Sequence, residues 1–425
     1  MAAALLTVGL LVFLAHLFVA VFERTRLPDV LPLLALGLLV GPVGGFIEPE
    51  SMGKVGGVFS LIALGAILFE SGLGLDLKML RESLGAGLNL TAATFVSSVA
   101  VTGLMFGGFG TMTWLEGFML GAIVGGTSSA VVIPLARALP LEDKTRTALL
   151  LESTFTDVAC IVVTLALIQA ARFNEVRTGL MIGQIIASFT LAAVIGLLAA
   201  LFWSNILDRV RRLKHSIFTT PAFVLILYGL SELLGYSGAI SALSFGVTLG
   251  NVETIQRNVG LLRNLRGFNP GVLSESDRVL FAEVVFLLKT FFFVYIGVSM
   301  RLRDGRLVAA GLALTAALTL LRIAVVRLAS GPRTRRFDAA MTAVMGPKGL
   351  AAAVLAGLPL QNGLAAGEAI QNVTYAVVLF SIVGTSLLTF LIERGRLQPA
   401  VALLFGRYPE AGKAAAAAVS GPVAG

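Results

Sequence analysis

Long apolar runs punctuated by short clusters of charged residues, Gly and Pro set the pattern of this chain. A window of about 19 residues moved along it predicts thirteen membrane spans. They lie at approximately 3–22, 29–41, 55–73, 84–107, 113–138, 145–170, 178–206, 216–233, 238–250, 280–299, 305–329, 337–357 and 370–392. A helix needs about 20 apolar residues to cross the hydrocarbon core, so most of these runs suffice and a few are short. The first lacks the basic, short apolar and small-residue order of a signal peptide and is expected to be a mature span. The pattern predicts an all-α polytopic membrane protein with about 13 transmembrane helices.

Composition agrees and excludes a soluble reading. The chain is 57% hydrophobic and 13% charged, with a mean hydropathy of +0.92, whereas soluble domains carry about 25% charged residues. Its net charge of +8 is a matter of topology. With the N-terminus outside, the cytoplasmic segments hold 23 Lys and Arg against 6 in the outside loops, as the positive-inside rule requires. This orientation puts the C-terminus in the cytoplasm, and nucleic acid is not needed to explain the basic balance. The single cysteine, Cys160, falls inside a span and is expected to be core, which excludes an intrachain disulfide framework.

An odd number of spans allows an internal symmetry. If the seventh, 178–206, is a connector helix, repeat units of about 1–170 and 216–392 each hold six spans and enter the membrane from opposite sides, as inverted repeats do. The fifth and twelfth spans then correspond, and both are interrupted. The fifth reads GAIVGGTSSAVVIPLAR, with Gly125, Gly126, Thr127, Ser128 and Ser129 ahead of Pro134; the twelfth reads AVMGPKGLAAAVLAGLP, with Gly346, Pro347, Lys348 and Gly349. One such break is ordinary, because Gly permits close helix packing. Two at corresponding positions point to broken helices crossing at a midplane binding site.

The sixth span carries the chemistry. Residues 149–163 read LLLESTFTDVACIVV, and each carboxylate at the centre of a span costs about 2.5–3.5 kcal/mol on insertion scales, so Glu152 and Asp157 are expected to handle ions or protons. Helix breaks leave backbone carbonyls and helix-dipole ends that require compensation. Lys348 supplies a cation there; Thr127, Ser128 and Ser129 supply hydroxyls, and Glu152, Ser153, Thr156 and Asp157 complete an oxygen set suited to a small monovalent cation. Ser153 and Asp157, four apart, share a helix face. Burial disfavours the Asp157 anion while a bound cation favours it, so proton and cation exclude each other at one carboxylate.

These stretches, with RLPDVLPLLALGLLVGP, LGAILFESGLGLDLKML, GYSGAISALSFGVTLGN, LKTFFFVYIGVSM and GPKGLAAAVLAGLP, resemble in order and spacing the membrane domain of the monovalent cation/proton antiporter superfamily, especially its electroneutral sodium/proton antiporters. The resemblance covers residues 1–395 and implies the sodium/proton antiporter fold. It implies that Asp157 alternately binds proton and cation, that Glu152 and Ser153 help to hold the ion or the site, and that Thr156 stands where many electroneutral members have Asn and electrogenic ones a second Asp. Thr127 matches the Thr of the fifth-span break, but Ser128 replaces a common Asp. Lys348 matches a basic residue that compensates helix dipoles and pairs with a sixth-span acid. A homodimer is implied by the resemblance alone.

The expected function is exchange of a monovalent cation, Na+ favoured with K+ or Li+ open, for H+ across the cell (inner) membrane, without net charge movement. The alternatives are a potassium/proton antiporter of the same fold, an uncoupled channel, or an anion symporter. A channel would want a filter of repeated carbonyls, and an anion symporter would line its site with cations. With no phosphate loop, metal-ligand cluster or nucleophile elbow in the sequence, neither an enzyme nor a cofactor is expected. Lys289 lies deep in the tenth span and is set aside as a snorkelling side chain. Arg322 is expected only to snorkel toward the cytoplasm, and Glu70 to tie the loop beside it. Residues 396–425 are expected to form a disordered cytoplasmic tail, its Ala414–Ala418 run having too little apolar variety for a core.

Overall fold

The computed structural model describes residues 9–18, 20, 30–46, 53–75, 77, 86–109, 111–172, 178–212, 218–258, 271, 273–300, 304–332 and 334–410. These residues form helices and their connections, without a strand. The helices are α1 (Gly9–Phe18), α2 (Val30–Leu38), α3 (Gly53–Gly74), α4 (Ala86–Gly108), α5 (Trp114–Val124), α6 (Ser129–Ala138), α7 (Asp143–Arg172), α8 (Thr178–Val210) and α9 (Thr219–Leu233). They continue with α10 (Gly238–Gly250), α11 (Val252–Asn258), α12 (Glu275–Ser299), α13 (Gly305–Ala329), α14 (Arg336–Val344), α15 (Leu350–Gln361), α16 (Gly367–Glu393) and α17 (Gln398–Phe405). Seven segments are long and apolar enough to cross a bilayer, the α5–α6 pair counting as one, and six shorter apolar helices accompany them. Each predicted span overlaps one of these over the described residues, and the twelfth, 337–357, takes in α14 as well as most of α15.

Local chemistry sets several boundaries. At the start of α5, Thr113 accepts a hydrogen bond from the Glu116 N–H and the Glu116 carboxylate accepts one from the Thr113 N–H; this capping box satisfies two otherwise orphan donors. Asp304 caps α13 by accepting from the N–H groups of Arg306 and Leu307. The turn into α10 passes through Gly235 at φ 80°, a left-handed conformation that glycine adopts without a Cβ clash.

The chain divides into two compact units, residues 1–48, 85–168 and 293–425 in one, 49–84 and 169–292 in the other. Each unit draws segments from both halves of the sequence, and the helix expected as a connector, α8, belongs to the second. That second unit is built on an aromatic core of Phe69, Trp203, Phe245 and Phe281, with Phe223 stacked on Trp203 at 4.3 Å. The loop after α3 is tied by Asn251, which donates to the Leu75 carbonyl and accepts from the Leu77 N–H. Asn251 thus ties the described part of this loop, while Glu70 lies within electrostatic range of Lys289 on α12.

Glycines let α3 and α10 meet backbone to backbone. A Cβ at Gly246 would stand 2.2 Å from the Phe69 carbonyl oxygen, and one at Gly72 would stand 2.5 Å from the Leu243 carbonyl oxygen. Backbone cannot yield as a flexible side chain can, so Gly246→Ala should destabilise this unit by the cost of overpacking, about 1–3 kcal/mol or more. A lowered melting temperature for the purified variant checks this; an unchanged one means that the helices separate without cost.

In the first unit the chain continues in ordered contact beyond residue 395. Phe405 of α17 and the following Tyr408 are buried against Val326, Ala339, Ala340 and Ala343. The Tyr408 hydroxyl donates to the Arg327 carbonyl at 3.0 Å, and the Arg336 N–H donates to the Pro409 carbonyl at 2.9 Å. The expected disordered tail from residue 396 is thus corrected as far as Glu410. The Ala-rich run had hidden the apolar segment that precedes it, while residues 411–425 lie outside the described residues.

Candidate cation and proton site

The first break lies between α5 and α6. Its residues leave the helix and turn their N–H groups to side chains and to the other break. The Gly126 N–H donates to Cys160 Sγ at 3.0 Å, that of Thr127 to Thr156 Oγ1 at 3.0 Å, and that of Ser128 to the Pro347 carbonyl at 2.7 Å. A Cβ at Gly126 would come within 2.7 Å of Cys160 Sγ and 3.0 Å of the Thr156 carbonyl oxygen. Glycine there lets the loop lie directly on α7.

The second break separates α14 from α15. Pro347 has no N–H for the i−4 carbonyl of Ala343, and Gly349 passes so near Ser128 that a Cβ on it would sit 2.0 Å from Ser128 Oγ. The two breaks therefore cross in contact, Ser128 against Pro347 and Gly349. Lys348 is anchored by its N–H, which donates to Ser381 Oγ at 2.9 Å.

Each half-helix C-terminus at the breaks has a cation. Lys348 Nζ donates to the Gly126 carbonyl at 2.8 Å, just past the end of α5, and Arg322 Nε donates to the Thr342 carbonyl at 3.0 Å, near the end of α14. Both placements suit the negative end of a helix dipole. Arg322 also forms a two-pronged pair with Glu152, Nη1 to Oε1 at 2.5 Å and Nη2 to Oε2 at 2.9 Å. Both partners are buried, Arg322 at 4% exposure and Glu152 at 1%.

One expectation is corrected here and one made specific. Arg322 does not snorkel but pairs with Glu152, and Asp157 is the sixth-span acid that this leaves to Lys348. Distance from the span end showed how far Arg322 could reach, but not which way its helix face turned. A usable signal was the bidentate fit of guanidinium to carboxylate with a buried Glu152 in need of a counter-charge.

Asp157 is left half-buried beside this neutralised pair. Its Oδ2 accepts a hydrogen bond from Ser129 Oγ at 2.6 Å. Since Ser129 is the first residue of α6, the carboxylate faces the positive end of that half-helix. Of the three hydroxyls expected at the first break, Ser129 is the one that direct contact places on the carboxylate. Lys348 is close enough to act on Asp157 electrostatically.

The remaining candidates divide by contact. Thr156 Oγ1 donates to the Glu152 carbonyl at 2.8 Å, accepts the Thr127 N–H, and lies 3.4 Å from Thr127 Oγ1, so this pair pins the first break to α7. Ser153 Oγ donates back to the Leu150 carbonyl at 3.0 Å and is fully buried. Ser128 sits at the crossing. Among the described residues no three His, Cys, Asp or Glu side chains gather as a metal site.

A family model described as "Sodium/hydrogen exchanger, transmembrane" matches residues 9–393. The chain belongs to the sodium/hydrogen exchanger family. Within it, the chain is 26% identical over 385 residues to the K(+)/H(+) antiporter NhaP2 of Shewanella oneidensis, covering 86% of this chain and 62% of that relative. It is 25% identical over 252 residues to the Na(+)/H(+) antiporter 1 of Methanocaldococcus jannaschii, 57% of this chain and 59% of that one. The chain thus spans a little over six-tenths of the length of the first of these relatives. The solved structure of the sodium proton antiporter MjNhaP1 from Methanocaldococcus jannaschii at pH 8 aligns with a TM-score of 0.73 at 22% identity, over 91% of this chain and 99% of that one. The fold is that of a sodium/proton antiporter, and the protein is a multi-pass membrane protein of a transporter family.

Proposed function

We propose that this protein exchanges a monovalent cation, Na+ or K+, for H+ at Asp157. The observation that carries the reading is the division of charge at the crossed breaks. Glu152 is occupied by Arg322, while Asp157 meets a hydroxyl and is partly open. One carboxylate is therefore available to alternate between a proton and a cation. The ionised form offers an anionic ligand with the Ser129 hydroxyl beside it; the protonated form has lost that charge, so the two ligands compete. Thr127, Thr156 and Ser153 shape the loop and helix that carry the site, and Lys348 offsets the exposed dipole end.

Both Na+ and K+ stand in the names of relatives, and Ser128, in place of an acid, leaves hydroxyl and carbonyl oxygens to choose between them. The charge bias of the loops supports a cell-membrane protein with its N-terminus outside and C-terminus in the cytoplasm. A homodimer follows from the resemblance, and beyond the transported ions the reading calls for no cofactor. Proteoliposomes loaded with a pH dye test the whole reading. An imposed Na+ or K+ gradient should drive proton movement the opposite way, and cation flux without proton movement would overturn exchange in favour of a channel.

Stoichiometry follows from the same division of charge. One H+ traded for one cation moves no net charge, because the Glu152–Arg322 pair stays neutral through the cycle. A membrane potential is worth about 2.3 kcal/mol per charge per 100 mV, so one uncompensated charge would shift the end point about fiftyfold at 100 mV. Vesicles clamped at zero and at 100 mV should reach the same cation distribution for a given pH gradient. A potential-dependent end point means that a second group gains or loses a proton in each cycle.

A further inference from the structure

A cavity of about 30 Å³ lies in the first unit beside the second helix break, walled by α4, α13 and α16, with Arg322 and Lys348 at its lining. A water needs about 10–15 Å³ of such space, so there is room for one or two. The walls are hydroxyls of a particular kind. Thr319 Oγ1 donates to the Thr315 carbonyl, Ser381 Oγ to the Val378 carbonyl and Thr385 Oγ1 to the Val344 carbonyl. Their protons are committed to backbone, and what remains is lone pairs. Thr94, at 3% exposure, also lines the cavity, and its hydroxyl has no partner.

The break contributes further open valences. Lys348 carries three N–H bonds, one of them held by the Gly126 carbonyl, and Ala343, whose carbonyl Pro347 cannot serve, is part of the wall. Unwound backbone at membrane depth is stable where protein or water completes its hydrogen bonds. A cation in this space would be repelled by Lys348, and an anion would meet hydroxyl lone pairs. Water alone donates to the lone pairs and accepts from the ammonium.

We propose that this cavity is a water-binding site, in which one or two ordered waters bridge Thr94 to Lys348 and the unwound backbone, making Thr94 a positioning residue for Lys348. The water site is separate from the Asp157 carboxylate and is the same whichever cation is exchanged there.

Two experiments on the purified full chain test it. X-ray radiolytic hydroxyl-radical footprinting labels side chains next to ordered water even when they are buried. Leu318, which lines the cavity at 5% exposure, should label many-fold faster than Leu314, at 0% on the same helix; equal, background labelling of both overturns the proposal. The second is the sign of the Thr94→Val effect. A dry cavity leaves the Thr94 hydroxyl orphaned, so an isosteric apolar side chain would be neutral or stabilising. A hydrated one loses its anchor, so Thr94→Val should lower the melting temperature by about 2 °C and shift the pH profile of exchange, with Thr94→Ser restoring both. A melting temperature unchanged or raised in Thr94→Val refutes the water site, and if that variant does not fold, footprinting of the native protein decides.

Discussion

Vesicles carrying the Asp157→Asn variant should show no cation-dependent proton movement above that of protein-free vesicles. An amide neither releases a proton near neutral pH nor provides an anionic ligand, so both halves of the exchange fail together. The shape is nearly unchanged and the amide oxygen can still accept from Ser129 Oγ, which lies 2.6 Å from the native carboxylate. The variant should therefore fold, and its melting temperature should match or exceed the wild type, since a half-buried charge has been removed. Loss of transport in a well-folded protein separates a functional carboxylate from a structural one. Normal exchange by Asp157→Asn would sink the assignment. Ser129→Ala should be milder. It removes one hydrogen bond to a charged group, worth about 1.5–3 kcal/mol, and the pH at which cation displaces proton should move while the maximal rate survives.

How far the sequence spoke for this arrangement depends on the range of the interaction. The spans were legible because hydropathy is a local sum, and over the described residues each of the thirteen runs is helical, the fifth and twelfth as broken pairs. Both breaks were legible because Gly125, Gly126, Gly346, Pro347 and Gly349 disfavour helix wherever they stand. The acids of α7 were legible because a carboxylate in an apolar run is costly without a purpose. Partner choice was not. Arg322 and Glu152 lie 170 residues apart, and which basic residue meets Glu152 depends on how α13 is rotated against α7, a matter of packing that no window reports. The same holds for Ser129. It was visible as one hydroxyl of three, and the backbone path that turns Ser128 toward the crossing and Ser129 toward Asp157 exists only once the break is folded. The short helix α17 escaped because its eight residues fall well below the length of a span, and its burial depends on Phe405 and Tyr408 reaching the base of α14.

That dependence on packing leads to the largest stability effect expected in the molecule. Removing Arg322 alone, as Arg322→Ala, leaves Glu152 charged, 1% exposed and without its two N–H donors, and it uncovers the Thr342 carbonyl at the end of α14. Breaking a buried pair by deleting one partner costs about 3–5 kcal/mol, a sizeable part of the roughly 5–15 kcal/mol that holds a typical domain together. Arg322→Ala should therefore give little folded protein, and thermal denaturation of what is recovered should show a large drop. The pair itself is a different matter, because desolvation of two ions offsets much of their attraction, and apolar residues of similar volume often serve as well. Arg322→Met combined with Glu152→Leu should accordingly recover most of the stability lost by either single change, apart from the Thr342 hydrogen bond, worth about 1.5–3 kcal/mol to a charged donor. Exchange is the discriminating measurement. If Glu152 is structural and Asp157 alone trades proton for cation, the double variant still transports, at whatever rate its remaining stability allows. If the well-folded double variant is inert, Glu152 takes part in the cycle, and the end point of wild-type exchange should then depend on membrane potential as well.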